Sequence, residues 1–490
     1  MIRGISLSKE KSMDFFGREE LLQQLQDLWG KKVSSLVTCR GRRRIGKSTL
    51  IERFAMRSKA RFIKIEGLKP QANTTKADEL DSFASQLSSQ TDAESSRPAD
   101  WLQAFIRLSK EINPRQKTVV LLDEVSWMAY DAPTFSSTLK IAWDNHLKKH
   151  DRLILVVCGS VSTWIKENII EDGAFFGRRS LDMVVPELPL DECVKFWGPA
   201  AERLATREII DVLSVTGGVP RYLEEVNPAM SAQENIRKMC FLPNAPLRVD
   251  FDEMFGDVIT RQPKFSAKVL RCLVDGPKSV TEIAHTLGVD KGGNISNAVG
   301  QLEESGMIMG DGGKNPETGA DARERRYRLK DNYTRFYLKY IEPVKGVIDG
   351  KTFVFDGLAQ FAGWETIMGL QFENLVVNNS RSLLKHLHLD RVMVLSAAPY
   401  QKRDGAKSGR KGCQIDLLIQ SRNSMWIVEI KRQAHIGREV MDEVREKCRR
   451  LCKPENVSLR TALVYDGELA RSVEADGYFD AIVPFADLLK

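Results

Sequence analysis

The chain has 490 residues, a length that suggests about three domains with ample core for each. Its composition, 42% hydrophobic and 28% charged, is ordinary for a globular protein, and a net charge of +7 permits nucleic acid as a partner without demonstrating it. Eight scattered cysteines with no CxxC pair argue against a disulfide framework, the opening MIRGISLSKEKSMDFF has no apolar signal core, and the most hydrophobic run, LILVVC at 153–158, is far too short to span a bilayer, so a soluble cytoplasmic protein with no membrane partner is expected.

Phe15-Phe16-Gly17-Arg18-Glu19-Glu20 leads into an amphipathic run, LLQQLQDLW. Its acidic first turn suits a helix N-terminus. A place near the adenine, by analogy with ATPases that open in this way, is equally open. Residues 33–53, VSSLVTCRGRRRIGKSTLIER, predict a short apolar strand, a glycine loop and the opening of a helix. Within them Gly41-Arg42-Arg43-Arg44-Ile45-Gly46-Lys47-Ser48 fits G-x-x-x-x-G-K-[ST]. Glycines let backbone N–H groups close around phosphate oxygens, and the helix N-terminus behind them adds positive potential. Lys47 is assigned to the β/γ-phosphates and Ser48 to Mg²⁺, with Thr49 in the same nucleotide-binding stretch.

A second strand, RFIKIEGL (61–68), is followed by a polar tract at 69–100 whose one helical stripe, Ala77, Leu80, Phe83, Ala84 and Leu87, predicts a surface helix and a loop. In TVVLLDEVSWM (118–128) an apolar strand ends in Asp123-Glu124. Asp123 can hold Mg²⁺ through water, and Glu124 can polarise the attacking water. The strand at 152–160 ends in Ser160, which is either a polar sensor of the γ-phosphate, as related ATPases have there, or a cap for the next helix. Arg178 and Arg179, in EDGAFFGRR, are either a finger on the transferring phosphate, worth roughly 10³ to 10⁵ in rate, or surface arginines. Residues 187–260 read as helical, with a break at Gly217-Gly218-Val219-Pro220-Arg221-Tyr222 that in isolation is a turn.

From Phe265 the pattern of three helices, a strand, a glycine-rich loop and a return strand, RRYRL, predicts a winged helix-turn-helix. Its third helix, 294–304, carries Asn294, Ser296, Asn297 and Gln301 with Glu303 and Glu304, and no lysine or arginine. Phosphate contact supplies most DNA affinity, so that face is expected to bind weakly. Arg323, Arg325, Arg326 and Arg328 put the positive charge on the wing, leaving open both a DNA-touching wing and a unit used only for packing.

An aromatic helical segment at 331–349 leads to a further α/β unit. Its helix WETIMGLQFENLVVNNSRSLL presents Phe372, Leu375, Val376 and Leu383 on an apolar face, with Glu373 beside it. Strands follow at 391–397, 413–419 and 425–432, the first two joined by a loop with Lys402, Arg403, Lys407, Arg410 and Lys411. Strand alternation puts Glu429 and Lys431 on one face, and pairing across a four-residue turn, SRNS, can bring Asp416 beside them. Asp416 and Glu429 could hold Mg²⁺, which polarises phosphate and lowers the pKa of water, while the Lys431 ammonium offsets transition-state charge. Cys413, Cys448 and Cys452 also fall here, too few for an iron–sulfur cluster.

In order, FFGREE, GRRRIGKS, VVLLDE, CGS, GRR, GGVPRYL and the E…D…ExK set resemble the prokaryotic AAA/STAND-like ATPases, often called archaeal ATPases, that carry a winged helix and a C-terminal PD-(D/E)XK nuclease-like domain. The resemblance implies an α/β chain with a P-loop ASCE ATPase core (1–186), a helical lid (187–261), a winged helix-turn-helix (262–348) and an α/β restriction-endonuclease-like domain (349–490). It makes Pro220 and Arg221 candidates to report nucleotide state, and puts Glu373 in the place of the extra acid of Holliday-junction-resolvase-like members. Ile415, where the usual motif has proline, is a departure. The implied cofactors are ATP and Mg²⁺, the implied partner is nucleic acid, in the first instance DNA, and homo-oligomerisation is left open. The expected function is ATP control of a metal-dependent DNA nuclease-like domain. The alternative is a nucleotide-switched DNA- or protein-binding regulator whose nuclease-like domain is not catalytic. A translocase or helicase loader is a weaker third reading, since no pore loop is visible.

Overall fold

Apolar, β-branched runs in the first 190 residues form one parallel sheet, β1 (Ser35–Arg40), β2 (Arg61–Glu66), β3 (Thr118–Asp123), β4 (Leu153–Gly159) and β5 (Arg179–Val184), in the order β2-β3-β4-β1-β5. The computed structural model describes residues 15–71, 73–160, 162–259, 262–322, 324–402 and 412–490. Expectations for residues 1–14, for Arg323 and for Arg403, Lys407, Arg410 and Lys411 lie outside the described residues. Alternation along the strands feeds two cores: Leu36, Val120, Leu122 and Val157 face one side, and Val37, Val119, Leu121 and Val156 the other. Because the strands are parallel, Gly41, Asp123-Glu124 and Ser160 all emerge along one edge. The stripe foreseen at 69–100 is the helix Lys76–Gln90, started by a capping box of Thr75 and Asp78.

A third apolar core draws on residues between Leu188 and Leu489. It takes in the helices Thr206–Thr216 and Pro246–Val258, and then three helices, Pro263–Cys272, Val280–Leu287 and Gly293–Glu304. Beside those three lies a small antiparallel sheet, β6 (Lys278–Ser279), β7 (Ile308–Asp311) and β8 (Arg326–Leu329), in the order β6-β8-β7. The last sheet, β9 (Val394–Lys402), β10 (Cys413–Ser421), β11 (Ser424–Ile436), β12 (Ser458–Leu469) and β13 (Ala481–Pro484), has the order β13-β12-β11-β10-β9, with β9 to β11 antiparallel and β11 to β13 parallel. The helix Trp364–Asn378 packs Phe372, Leu375 and Val376 on one face, against the side that includes Val428 and Ile430. Val440, Met441 and Val444 of the helix Glu439–Arg450 cover the other. The single helix expected at 364–384 stops at Asn379 and resumes as Ser380–His386.

Two polar features tie these layers together. Arg42, in the phosphate loop, reaches out of its own sheet to Asp331, with Nη2 2.7 Å from Oδ2 and side chains 6% and 0% exposed. Asp331 caps the next helical segment, accepting from the Thr334 N–H at 3.2 Å and its hydroxyl at 2.5 Å. Beyond it, the buried amides Gln371 and Asn374 of the helix Trp364–Asn378 bond in three directions. Gln371 Nε2 donates to the carbonyls of Ser214 and Asn332, each at 2.7 Å, and its Oε1 accepts from Arg335 at 2.7 Å. Asn374 donates to the Lys330 carbonyl at 2.6 Å and the Asn332 side chain at 2.5 Å, and accepts from Arg328 of β8.

Removing one partner of a buried ion pair leaves a charge without compensation. Asp331→Ala is therefore expected to lower the free energy of unfolding by about 3–5 kcal/mol, and the double replacement Arg42→Met with Asp331→Leu to lose less, as measured by urea denaturation.

Candidate functional site

The phosphate loop joins β1 to the helix Lys47–Arg57, whose N-cap is Gly46 at φ 83°, a left-handed conformation that suits glycine. The Lys47 ammonium is buried and donates to the carbonyls of Gly41 at 3.0 Å and Arg42 at 3.2 Å, and to Ser160 Oγ at 3.0 Å. Ser48 Oγ donates to Asp123 Oδ2 at 2.5 Å. Glu124, held at φ 49°, accepts from the Ser160 N–H at 3.1 Å and from its hydroxyl at 2.7 Å. Five residues from three strand ends thus share one bonded cluster, and Ser160 stands between Lys47 and Glu124. The donor set fits MgATP: the Ser48 hydroxyl and Asp123 carboxylate would hold the metal, and Lys47 with the Gly41 to Thr49 backbone N–H groups would hold phosphate. Bound there, the metal would neutralise charge on the β- and γ-oxygens while Glu124 orients water.

Other assigned residues are placed differently. Arg42 and Arg44 turn their side chains away from the phosphate position: Arg42 to Asp331, and Arg44 to Asp250 and, at 3.0 Å, Glu253. Their contribution to phosphate is left to backbone N–H groups. Ile45 is buried, Arg43 half-buried, and Thr49 is exposed on the helix. Arg178 and Arg179 stand away from the phosphate loop of their own chain. Parallel pairing sets Arg179 opposite Leu36, five residues before Gly41, so both arginines lie at the far end of the sheet, about 16 Å along the strand from the loop. There Arg178 binds Asp144 at 2.9 Å and Arg179 binds Asp182 at 2.7 Å. Neither acts on a phosphate held by the same chain. Pro220 opens the short helix Pro220–Leu223, whose Tyr222 hydroxyl accepts from Arg42 at 3.3 Å, and Arg221 pairs with Glu224 and Glu225. Gly218 is required in that turn, since a Cβ would meet the Leu188 carbonyl oxygen at 2.2 Å. Arg18 donates to the carbonyls of both Ile45 and Glu187 at 3.4 Å, which puts the FFGREE stretch beside the loop.

The second cluster forms on β10 and β11. A two-residue connection, Arg422 and Asn423, replaces the expected four-residue turn, and the register Leu417↔Val428 sets Asp416 level with Glu429. Asp416 Oδ2 accepts from the Ile430 N–H at 2.9 Å. Glu429, 1% exposed, receives Lys431 Nζ on Oε1 at 3.1 Å and Lys447 Nζ on Oε2 at 2.5 Å. Lys447, from the helix Glu439–Arg450, also lies 3.6 Å from Asp416 Oδ1, and Lys431 binds Glu443 at 2.6 Å. Glu373 approaches from the helix Trp364–Asn378. Burial and then the charge of Asp416 push its carboxyl up to about 8, and burial followed by Glu429 pushes Asp416 up to about 6. Burial alone would lower both lysines; the carboxylates outweigh it and raise them. Among the described residues no group of three or more His, Cys, Asp or Glu is arranged as a metal cage. A cation here would have Asp416 and Glu429 and complete its shell with water and phosphate, as Mg²⁺ commonly does.

A cavity of about 880 Å³ lies between the β7–β8 loop, the helix Trp364–Asn378 and β9–β10, and its wall includes Asp416, Glu373, Arg335, Tyr400 and Lys402. The β7–β8 loop is docked on this sheet: Gln420 donates to the Lys314 carbonyl at 2.7 Å. Among the described arginines of this loop and β8, Arg325 is paired with Glu303 at 2.5 Å, Arg326 with Glu282 at 2.8 Å and Arg328 with Asp311 at 3.0 Å. Glu304, at the end of the helix Gly293–Glu304, binds Lys166 at 2.6 Å, while Asn294, Ser296 and Asn297 are exposed.

Residues 15–226 match a family described as an ATPase domain predominantly from Archaea. This part of the chain is a P-loop ATPase domain. Across 440 residues, 89% of this chain and 91% of the relative, the sequence is 22% identical to a protein of Methanocaldococcus jannaschii described as uncharacterized. Solved structures that align with it include the Walker-type ATPase of Pyrococcus abyssi, 17% identical with a TM-score of 0.48 over 66% of this chain and 96% of that one. The Aeropyrum pernix ORC2 protein, in ADPNP–ADP complexes, is 13% identical with a TM-score of 0.42 over 70% and 97%. Among the described residues no helix is long and apolar enough to cross a membrane.

Sequence reasoning missed Lys64, on β2, which reaches Asp123 at 3.4 Å, and Lys447. The only local signal for Lys447 was its place four residues after Glu443 on an amphipathic helix. Lys47→Ala is expected to weaken ATP binding roughly tenfold or more, read by titration with a fluorescent nucleotide. A carboxyl whose pKa is raised on folding holds its proton more tightly in the folded state, so the stability it contributes is present at low pH and lost as pH rises. For Glu373 the window runs from 4.5 to about 8. In chelating buffer the unfolding free energy is expected to fall across that window, and to fall less in Glu373→Gln.

Proposed function

We propose that the chain is an ATP-binding and ATP-hydrolysing protein that controls a metal-dependent, DNA-directed nuclease-like unit at 349–490. In this reading 187–261 is a helical lid and 262–348 a winged helix used for packing rather than for reading DNA, since Arg325, Arg326 and Arg328 are paired internally. The observation that carries the proposal is a run of polar contacts from the phosphate loop toward the second cluster, buried as far as the Gln371 and Asn374 amides. Arg42, whose carbonyl accepts from Lys47, is paired with Asp331; Asn332 and Arg335, in the next turn, bond Gln371 and Asn374; and Glu373 lies between those two amides on the same helix, beside Asp416. Any nucleotide that draws the Lys47 ammonium off its own loop changes what the Arg42 backbone carries, and Asp331 must follow or leave a charge unpaired.

A second connection supports the same direction of control. Arg432, next to Lys431 and 1% exposed in its side chain, binds Asp211 of the helix Thr206–Thr216 at 2.5 Å. That helix ends at Gly217-Gly218, the turn beside the nucleotide loop. Metal at Asp416 and Glu429 would polarise a phosphodiester and acidify water, with Lys431 offsetting the charge that develops.

The alternative, a nucleotide-switched docking unit without catalysis, is favoured by one observation: Glu429 is already neutralised by two lysines, and one of them, Lys447, also lies 3.6 Å from Asp416. Linear and branched DNA incubated with Mg²⁺ or Mn²⁺ and with ATP or ADP decides between them. Cleavage that needs metal, varies with nucleotide and falls at least about a hundredfold in Asp416→Ala and Lys431→Ala is the expected result. Nucleotide-dependent DNA or protein association with no cleavage under any of these conditions would instead support docking.

A further inference from the structure

Glu429 is deeply buried, and each of its oxygens is met by a different ammonium: Lys431 on Oε1 at 3.1 Å and Lys447 on Oε2 at 2.5 Å. The two lysines are not equivalent. Lys431 has a second anion of its own, Glu443 at 2.6 Å, whose side chain is 49% exposed. Lys447 faces inward and lies between the two carboxylates proposed as cation ligands, 2.5 Å from one and 3.6 Å from the other. An ammonium is a compact point charge on a flexible four-carbon stem, so it can fill a cation position and also leave it. The Lys447 side chain is 20% exposed, which gives it a path to solvent.

We propose that Lys447 is a built-in cation standing in the divalent-metal position, and that metal enters the Asp416–Glu429 pair only as Lys447 swings out. Lys447 is then the residue that sets the metal affinity of the site. The helix Glu439–Arg450 supplies both Glu443 and Lys447, four residues apart on one face, so one element holds Lys431 in place and closes the metal position. The inference rests on reading Asp416 and Glu429 as metal ligands, and its test separates the two ideas.

Mn²⁺ alone, with no nucleotide, is titrated into the full-length protein by isothermal calorimetry and by loss of the free-ion electron paramagnetic resonance signal. Asp416→Ala identifies the part of the signal that belongs to this site. Lys447→Met, which keeps the stem and removes the charge, is expected to bind Mn²⁺ about tenfold or more tightly than the natural chain, and to gain more in Tm on metal addition. Lys447→Arg, which keeps the charge and adds a fork that fits both carboxylates, is expected to bind Mn²⁺ more weakly, and it carries the test if the Met variant does not fold. Asp416-dependent binding that Lys447 substitutions leave unchanged, or that Lys447→Met weakens, overturns the role of Lys447 and leaves the metal site standing. No Asp416-dependent binding in any variant overturns the metal site itself, and the role of Lys447 with it.

Discussion

A guanidinium from the phosphate loop is buried against a carboxylate almost 290 residues further along the chain, and that pair ties the loop to the helical turn after Asp331. Side chains 6% and 0% exposed have no water to fall back on, so Arg42 and Asp331 move together or one of them is left charged in an apolar setting. The pair also fixes an orientation. Asp331 starts the helical turn that carries Asn332 and Arg335, and those residues bond the amides of Gln371 and Asn374. Apolar packing alone, drawn from residues between Leu188 and Leu489, would hold the layers together without specifying how the helix Trp364–Asn378 is rotated. The buried amides specify it, and with it the direction of Glu373.

The two clusters of charge solve the same problem differently. In the ATPase domain, Lys47 is satisfied by carbonyls and a hydroxyl, and Asp123 by a hydroxyl and a lysine 3.4 Å away; these are partners that a phosphate or a metal can replace at modest cost. On β10 and β11, by contrast, a deeply buried carboxylate is neutralised by two ammoniums from different elements. Neutralisation of that kind makes the unit stable without any ion, and it makes the entry of an ion a matter of exchange rather than of filling.

Much of this was legible in local patterns. The strand–loop–helix around Lys47 and the strand ending in Asp123-Glu124 were legible because the spacing of glycine, lysine and serine, and an apolar strand ending in acid, specify backbone geometry within a few residues. The stripe Leu80, Phe83, Ala84 and Leu87 proved buried on one helix face. Glu429 and Lys431 share a face because strand alternation is a short-range property. Where Arg178 and Arg179 stand was not legible, because a loop sequence says nothing of the end of the sheet it approaches, which only the pairing of β5 with β1 decides. Gln371 and Asn374 gave no signal in the sequence, since their buried amides bond neighbours from about 40 to more than 150 residues away.

The sequence by itself determined the chemistry of the nucleotide loop and the presence of two carboxylates and a lysine at hairpin spacing, because both depend on contacts within one strand, turn or helix. Tertiary structure alone decided that Arg42 faces Asp331 rather than phosphate, that Arg178 and Arg179 stand at the end of the sheet away from their own phosphate loop, and that Lys447 lies between Asp416 and Glu429. Strand pairing places the two arginines, while Arg42 and Lys447 take the partners that burial makes most costly to leave alone, and both are known only when distant parts of the chain have packed.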